Sequence, residues 1–324
     1  MTETIKEPIR VLEAFAGVGT TRMALERVLP CEHVGIIEND NMKIKAYEVC
    51  HGETPTWKDI REVVPSELPD FDLFTYSFPC QDLSKEGKGE GLEGERSKLL
   101  FECEKIIKDK LPRYLLCENV PQLFSKKNRA GLERWMGILH NLGYVSCGMK
   151  LKGCDYGVPQ NRERAFIVSF LGGGDFKVPE KKPFVTIKDY LGFHHIYKLI
   201  EMDDNGLMFT GVTGAYVKEA VKAGETHVNP WDTVNVAFPA SKTRRGRVGR
   251  QMAQTLLKSP QMGIWTGTSL KRIDGDTALR LMGIDWYYID RLSDFTDAQK
   301  KAIAGDAIIV DVLEAIFREM FKNL

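Results

Sequence analysis

In the run Ser77-Phe78-Pro79-Cys80-Gln81 a cysteine follows a proline just past a hydrophobic stretch, Phe71 to Tyr76, whose composition predicts a buried strand. Proline cannot continue a ladder, so the strand ends there and presents the thiol at its carboxyl end, beside polar residues. Thirty-eight residues after Cys80, the strand-like run Tyr114-Leu-Leu-Cys-Glu118 ends in a carboxylate and leads into Asn119, Val120 and Pro121. A carboxylate at that position demands a partner or a raised pKa. In an open α/β sheet both strand ends face one crevice. A third polar cluster, Gln160-Asn161-Arg162-Glu163-Arg164, runs into the apolar stretch Ala165 to Phe170, and alternation points Arg162 and Arg164 to one face.

A thiolate, a proton-carrying acid and a guanidinium suit a pyrimidine that must be made nucleophilic at carbon. Cytosine C5 is too poor a nucleophile to accept a methyl group unaided, whereas a thiolate added at C6 turns the ring into an enamine. On this reading Cys80 supplies the thiolate, Glu118 bonds N3 and the exocyclic amine as charge develops, and Arg164 binds O2. Methylation of an exocyclic amine would need no covalent nucleophile. Plainer readings stand beside these: a buried cysteine is usually a small hydrophobe, as expected for Cys31, Cys103, Cys117 and Cys147. A charged strand start is often only a solvated surface.

The elements that must position these residues are read from alternation. Strands expected near 10–15, 34–38, 71–76, 114–118, 145–151 and 165–170, separated by helical patterns, predict an α/β fold with a doubly wound sheet. Thr20 to Leu29 predicts a threonine-capped helix, Ser97 to Ile107 another, and the polar, glycine-rich Lys85 to Glu95 a loop. Between the first strand and helix, Phe15-Ala16-Gly17-Val18-Gly19 lets the backbone approach a ligand at a helix N-terminus, and Glu38, about twenty residues on, can accept both hydroxyls of a ribose. The spacing lacks the full dinucleotide pattern, so it suits a nucleoside without a pyrophosphate, such as adenosine joined to an amino acid. Asp59-Ile60 would then hold the adenine amine and cover its ring. After Gly172-Gly173-Gly174 the pattern degrades. This predicts a catalytic and cofactor-binding domain over 1–179, a smaller domain over 180–266, and a return to the first over 267–324. The last helix, Ala307 to Phe321, carries an apolar face of Ile308, Val312, Leu313, Ile316 and Phe317.

Composition bounds the rest. The chain's 324 residues suffice for one large domain or a large and a small one. With zero formal net charge, attraction to nucleic acid must come from a local patch. Seven cysteines without a CxxC pair argue against a disulfide framework or zinc site and point to a reducing cytosol. Met1 to Arg10 lacks a signal-peptide core and no run approaches eighteen apolar residues, so no membrane crossing or anchoring is expected.

Taken in order, the motifs resemble the cytosine-C5 DNA methyltransferases of bacteria and their phages: Phe15 to Gly19, Glu38, Asp59-Ile60, Pro79-Cys80-Gln81, Glu118-Asn119-Val120, the Gln160, Arg162 and Arg164 cluster, Arg280 to Gly283, and Gly305 to Ile308. Only about 180–250 is unmatched, the interval that recognises the target in that family. The resemblance implies a Rossmann-like, doubly wound mixed sheet with a target-recognition domain. It also implies S-adenosylmethionine bound by Phe15, Ala16, Gly17, Gly19, Glu38, Asn39, Asp59, Ile60, Pro79, Leu99, Asp306, Ala307 and Ile308, and no metal. Cys80, Glu118, Arg162 and Arg164 would be catalytic, acting on a cytosine flipped out of double-stranded DNA, since C6 inside a stack cannot be reached. Gln81, Ser84 and Lys85 would contact the DNA from a closing loop. A separately acting restriction endonuclease, a monomeric state and the cytoplasm of a bacterium or phage-infected host complete the expectation. The chain departs from the family at Asp306, where an asparagine is usual, and an acid near the donor's amino-acid end is expected to face its ammonium group or a backbone donor. Ser77 and Thr20 stand where glycines are usual.

Lys242, Arg244, Arg245, Arg247 and Arg250 put five cations and no acid into nine residues, which suggests phosphate contact or base reading. A tRNA cytosine methyltransferase on the same scaffold, a non-catalytic DNA-binding regulator and a nicotinamide oxidoreductase are the competing readings. The first is disfavoured by the large basic insert, the second by the intact Cys80, Glu118 and Arg164, and the third by the glycine spacing.

Overall fold

The structure, a computed structural model, describes residues 7–78, 99–211, 213–259 and 261–324. The expectations for Pro79, Cys80, Gln81, Ser84, Lys85 and the Lys85 to Glu95 loop lie outside the described residues. The chain divides into two compact units. The first takes the chain up to Leu151, then Glu163–Glu180 and Val312–Leu324, and the second takes Lys152–Arg162 and Lys181–Asp311.

The first unit is built on six strands: β1 (Ile9–Ala14), β2 (Cys31–Ile37), β3 (Leu73–Tyr76), β4 (Tyr114–Asn119), β5 (Tyr144–Lys152) and, after the two-residue β6 (Gln160–Asn161) of the second unit, β7 (Glu163–Leu171). Their order is β2-β1-β3-β4-β7-β5. β1 pairs in parallel with β2 and β3, β3 in parallel with β4, and β7 runs antiparallel to β4. The short central strands are buried almost throughout because both faces are covered, as parallel sheets require. Helices α1 (Thr20–Glu26), α2 (Asn41–His51), α3 (Leu99–Lys110) and α4 (Arg129–Asn141) supply that cover. Cys103, Ile106 and Ile107 of α3 and Trp135 and Leu139 of α4 join Leu12, Phe74, Leu115 and Ile167 in one core. The final helix, Val310–Met320, is followed by Phe321, whose ring meets Tyr114 of β4 edge-on at 5.1 Å.

Register decides where the chemistry can sit. Ala14 lies opposite Ile37 on one side and Tyr76 on the other, and Tyr76 lies opposite Cys117. Phe15, Glu38, Ser77 and Glu118 therefore leave the sheet along one edge. Strand order reverses between β1 and β3, the switch point at which open α/β sheets hold ligands. At about 4.8 Å per strand the four ends span roughly 14 Å.

Two local expectations change. Helix α1 begins at Thr20 with Gly19 as its N-cap at φ 81°, without a side-chain cap, and stops at Glu26. A Cβ on Gly19 would collide with His51 and lie 2.8 Å from the Tyr47 ring, so packing against α2 selects the glycine. Ahead of Asp59, Trp57 adds a single parallel bridge to Ile37 at the end of β2.

The second unit starts at Lys181 but also claims Lys152–Arg162 and continues to Asp311, so the chain returns to the first unit at Val312 and not near 267. It holds an antiparallel sheet of β8 (Met208–Gly211), β9 (Gly214–Lys218) and β10 (Glu225–Val228). A second sheet, ordered β12-β11-β14-β15, comprises β11 (Thr233–Asn235), β12 (Arg247–Gly249), β14 (Met262–Trp265) and β15 (Leu270–Arg272), while β13 (Ala253–Gln254) pairs with β6. Strands this short, broken by glycine and proline, carry too few alternating residues to be read from sequence. Helices α5 (Ile187–Leu191), α6 (Phe193–Lys198), α7 (Gly275–Arg280), α8 (Trp286–Arg291) and α9 (Asp297–Asp306) complete the unit.

Gly19→Ala should lower unfolding free energy by about 1–3 kcal/mol, through left-handed strain and the clash with His51. A denaturant midpoint equal to wild type would contradict the packing described.

Candidate active site

β1 exits through a curled loop in which Phe15, Gly17 and Gly19 all have positive φ, at 60°, 61° and 81°. Left-handed residues in close succession turn backbone N–H groups inward. Glu38, only 5% exposed, receives them: one oxygen accepts from Gly17 N at 2.8 Å, the other from Asn39 N at 3.0 Å and Asp40 N at 2.9 Å. The Glu38 amide itself donates to Trp57 O, tying this loop to the segment that carries Asp59. Among the described residues nothing lies within 4 Å of where a Gly17 Cβ would stand, so the loop has an open side towards them. An oriented carboxylate beside an open glycine turn fits a nucleoside's ribose. Asp59 accepts from Arg61 through both carboxylate oxygens, and this pairing holds its carboxyl below the usual range. A ligand amine reaching Asp59 would compete with Arg61. Ile60 is buried in the core, and Leu99, the first residue of α3, packs against it.

At the other end of the row, Glu118 stands 3.3 Å from Arg164 Nε, both largely shielded. Arg164 Nη1 donates to Glu163 O at 2.8 Å. Next to Glu118, buried Asn119 donates through Nδ2 to Phe78 O at 3.0 Å, and its Oδ1 accepts from Val120 N. That bond fixes the last described residue before Pro79-Cys80, a role the sequence reading did not give Asn119.

Arg162 belongs to the second unit. It is 2% exposed, and its guanidinium donates to three carbonyls of its own unit: Leu256 at 3.0 Å, Gly305 at 2.8 Å and Ala307 at 2.9 Å. Fully buried Gln160 works alongside it, donating to Leu281 O and accepting from Leu256 N. The two residues fasten the Leu256 segment to the end of α9. Ala307 and Ile308 follow the α9 terminus that Arg162 grips, and Asp306 places its carboxylate 2.8 Å from Lys258 Nζ. Arg250 is likewise drawn into the fold, donating to His227 O and pairing with buried Asp232.

The family model for C-5 cytosine-specific DNA methylase matches residues 9–322. The chain belongs to that family. It is 30% identical to the type II methyltransferase M2.ScrFI of Lactococcus lactis subsp. cremoris, over 97% of this chain and 99% of that protein. To the type II methyltransferase M.HaeII of Haemophilus aegyptius it is 29% identical, over 97% and 93% of the two chains. Among solved structures it resembles the Entamoeba histolytica methyltransferase EhMeth, with TM-score 0.69 at 14% identity over 98% and 99% of the chains. The S. pombe Dnmt2 methyltransferase gives 0.66 at 19% identity over 98% and 100%. At such identities the likeness is one of fold.

The C-5 cytosine methyltransferase also contains a buried cluster under its glycine loop that sequence reasoning missed, although a lone acid inside the apolar Val11-Leu12-Glu13-Ala14 was its signal. Glu13 is 1% exposed, with His33 Nδ1 3.7 Å away and Thr21, Arg22 and Tyr47 around it. Distance alone suggests an ion pair, but burial pushes the Glu13 carboxyl up to about 8 and His33 down to about 3, so both are neutral near pH 7. His51 Nε2 donates to Val18 O at 3.0 Å, and burial lowers its pKa to about 4.

Folded Glu13 keeps its proton up to about 8 while the unfolded chain loses it near 4.5, so its contribution to stability falls as pH rises across that window. The two histidines act in the opposite direction, but only below 6.5, their ordinary value. From pH 6.5 to 8 Glu13 acts without them, costing about 2 kcal/mol. Denaturant titrations at both pH values should show this loss in wild type and its absence in Glu13→Gln; identical losses would remove Glu13 as the cause.

Proposed function

We propose that this methyltransferase moves the methyl group of S-adenosylmethionine to C5 of a cytosine flipped out of a specific short duplex sequence, through a covalent bond between Cys80 and C6. The alignment of strand ends carries the reading: the Glu38 loop and the Glu118–Arg164 pair leave one sheet edge on either side of the chain that leads to Cys80. Phe15, Gly17, Gly19, Glu38, Asn39 and Ile60 would hold the donor, with Asp59 reaching its adenine after releasing Arg61. Bound there, S-adenosylmethionine supplies an electrophilic methyl group.

The protein's own residues prepare the acceptor. Cys80 Sγ adds to C6, and the ring's electron pair moves towards C5 as Glu118 bonds N3 and the exocyclic amine. Arg164 keeps the Glu118 carboxyl in place through Nε, and its Nη2, unengaged among the described residues, is available to O2. Asn119 holds the Phe78 carbonyl and so sets the backbone from which Pro79-Cys80 departs. After C5 has been methylated, loss of its proton and elimination of the thiolate restore the aromatic ring. The names of the relatives support a modification enzyme of the type II class, with any cognate endonuclease acting separately. A monomer in the cytoplasm suits that reading, and no described helix is long and apolar enough to cross a membrane.

A duplex carrying 5-fluorocytosine cannot release the C5 substituent, so donor and enzyme together should leave a covalent protein–DNA adduct, visible by denaturing electrophoresis. Cys80→Ala should form none, and Glu118→Gln should slow turnover by on the order of 10²-fold or more. Normal methylation by Cys80→Ala, or methylcytosine in RNA but not DNA on bisulfite sequencing, would overturn the proposal.

A further inference from the structure

Between Asp232 and Asp274 the chain carries eight cations and no acid, although acids and cations are equal in number overall. The structure sorts the five cations clustered in 242–250. Arg250 is neutralised by Asp232, and Arg245 is half-buried with its carbonyl bonded to Ala220 N. Lys242, Arg244 and Arg247 are exposed, and none makes an ion pair among the described residues.

Arg244 differs from the other two. Its guanidinium lies 4.2 Å from the ring centroid of Phe238. The backbone beneath it is braced: Thr243 N and Arg244 N donate to Ser241 Oγ, and Ser241 N donates to Phe238 O. At Gly246, φ 49°, the chain passes so close to the Lys218 carbonyl that a Cβ would collide with it. Phe238 itself is 51% exposed and held at φ 58°. An exposed aromatic in a left-handed backbone gains little from burial, and strain of this kind points to use. Stacking fixes the guanidinium plane and removes rotamer freedom before binding, leaving a planar fork of N–H donors in solvent. Guanine O6 and N7, side by side in the major groove, form the acceptor pair that such a fork grips.

We propose that Arg244, braced on Phe238, reads a guanine of the recognised duplex, while Lys242 and Arg247 hold phosphates. This rests on the reading of duplex DNA as substrate and goes beyond it to a specificity-determining residue. Among the described residues Lys242 and Arg247 have no comparable aromatic brace, which suits contacts that carry charge but no sequence.

The test selects full-length protein against a pool of randomised duplexes and sequences the bound fraction. Wild type should enrich a motif containing a guanine. R244A and R244K should each lose preference at that guanine by on the order of 10–100-fold while the other positions persist, because an ammonium cannot replace the fork. F238A should erode the same position and F238Y restore it, whereas R247A should weaken all sequences alike and flatten the salt dependence. A wild-type motif without guanine, an R244K protein with an unchanged motif, or an R244A protein weakened uniformly would overturn the assignment. Bisulfite scoring of the same pool is separate: a bound motif without methylated cytosine would defeat the catalytic reading and leave the arginine's role decided by the binding data.

Discussion

One irregularity in a parallel ladder sets the geometry of the first unit. β1 and β2 begin with Ile9 opposite Cys31 and Val11 opposite His33, then slip so that Leu12 faces Gly35 and Ala14 faces Ile37. Without the slip, Ala14 would face Ile36, and Ile37 would stand at the sheet edge where Glu38 now stands. Because side chains alternate with period two, a one-residue change of register also exchanges the faces of a strand. Gly35 permits the slip: a Cβ there would come within 2.7 Å of Leu12 and 2.8 Å of Trp57. The carboxylate that accepts from Gly17 of the glycine loop thus owes its position to a defect several residues upstream.

The two ends of the row are stabilised differently. Glu38 is satisfied by backbone amides, two from the residues that follow it and one from Gly17, so its orientation is set by the fold itself. Glu118 is held by a side chain, Arg164, from the antiparallel neighbour β7, an arrangement in which partners can be exchanged as charge shifts. Neutral Glu13 under the glycine loop adds a third mode, in which burial keeps the charge of a carboxyl from appearing at all.

Much of this was legible in the sequence because it is local. The alternation of strands and helices, Glu38 just past β2, Glu118 at the end of β4 and the glycine turn all announce themselves within a few residues of their neighbours. What stayed hidden depends on distant partners. Arg162 has the same spacing from Arg164 that side chains on one strand face have, yet its partners are carbonyls near 256, 305 and 307. Arg250 looks like any cation of its basic run until Asp232 is seen to claim it. Gly19, and not Thr20, caps α1 because of His51 and Tyr47 on the next helix.

The path of the chain also bears on how recognition could be exchanged between such enzymes. The second unit is discontinuous, and its first piece, Lys152–Arg162, carries the two side chains that clasp the Leu256 segment, with the partners of that clasp reaching Ala307. The partners of Gln160 and Arg162, at Leu256, Leu281, Gly305 and Ala307, all lie beyond 180–250, so exchanging that interval alone would leave the clasp whole. A graft that reached past 250 without carrying 152–162 would instead pair foreign backbone with the native clasp, so in this protein the safe cut falls between 250 and Leu256.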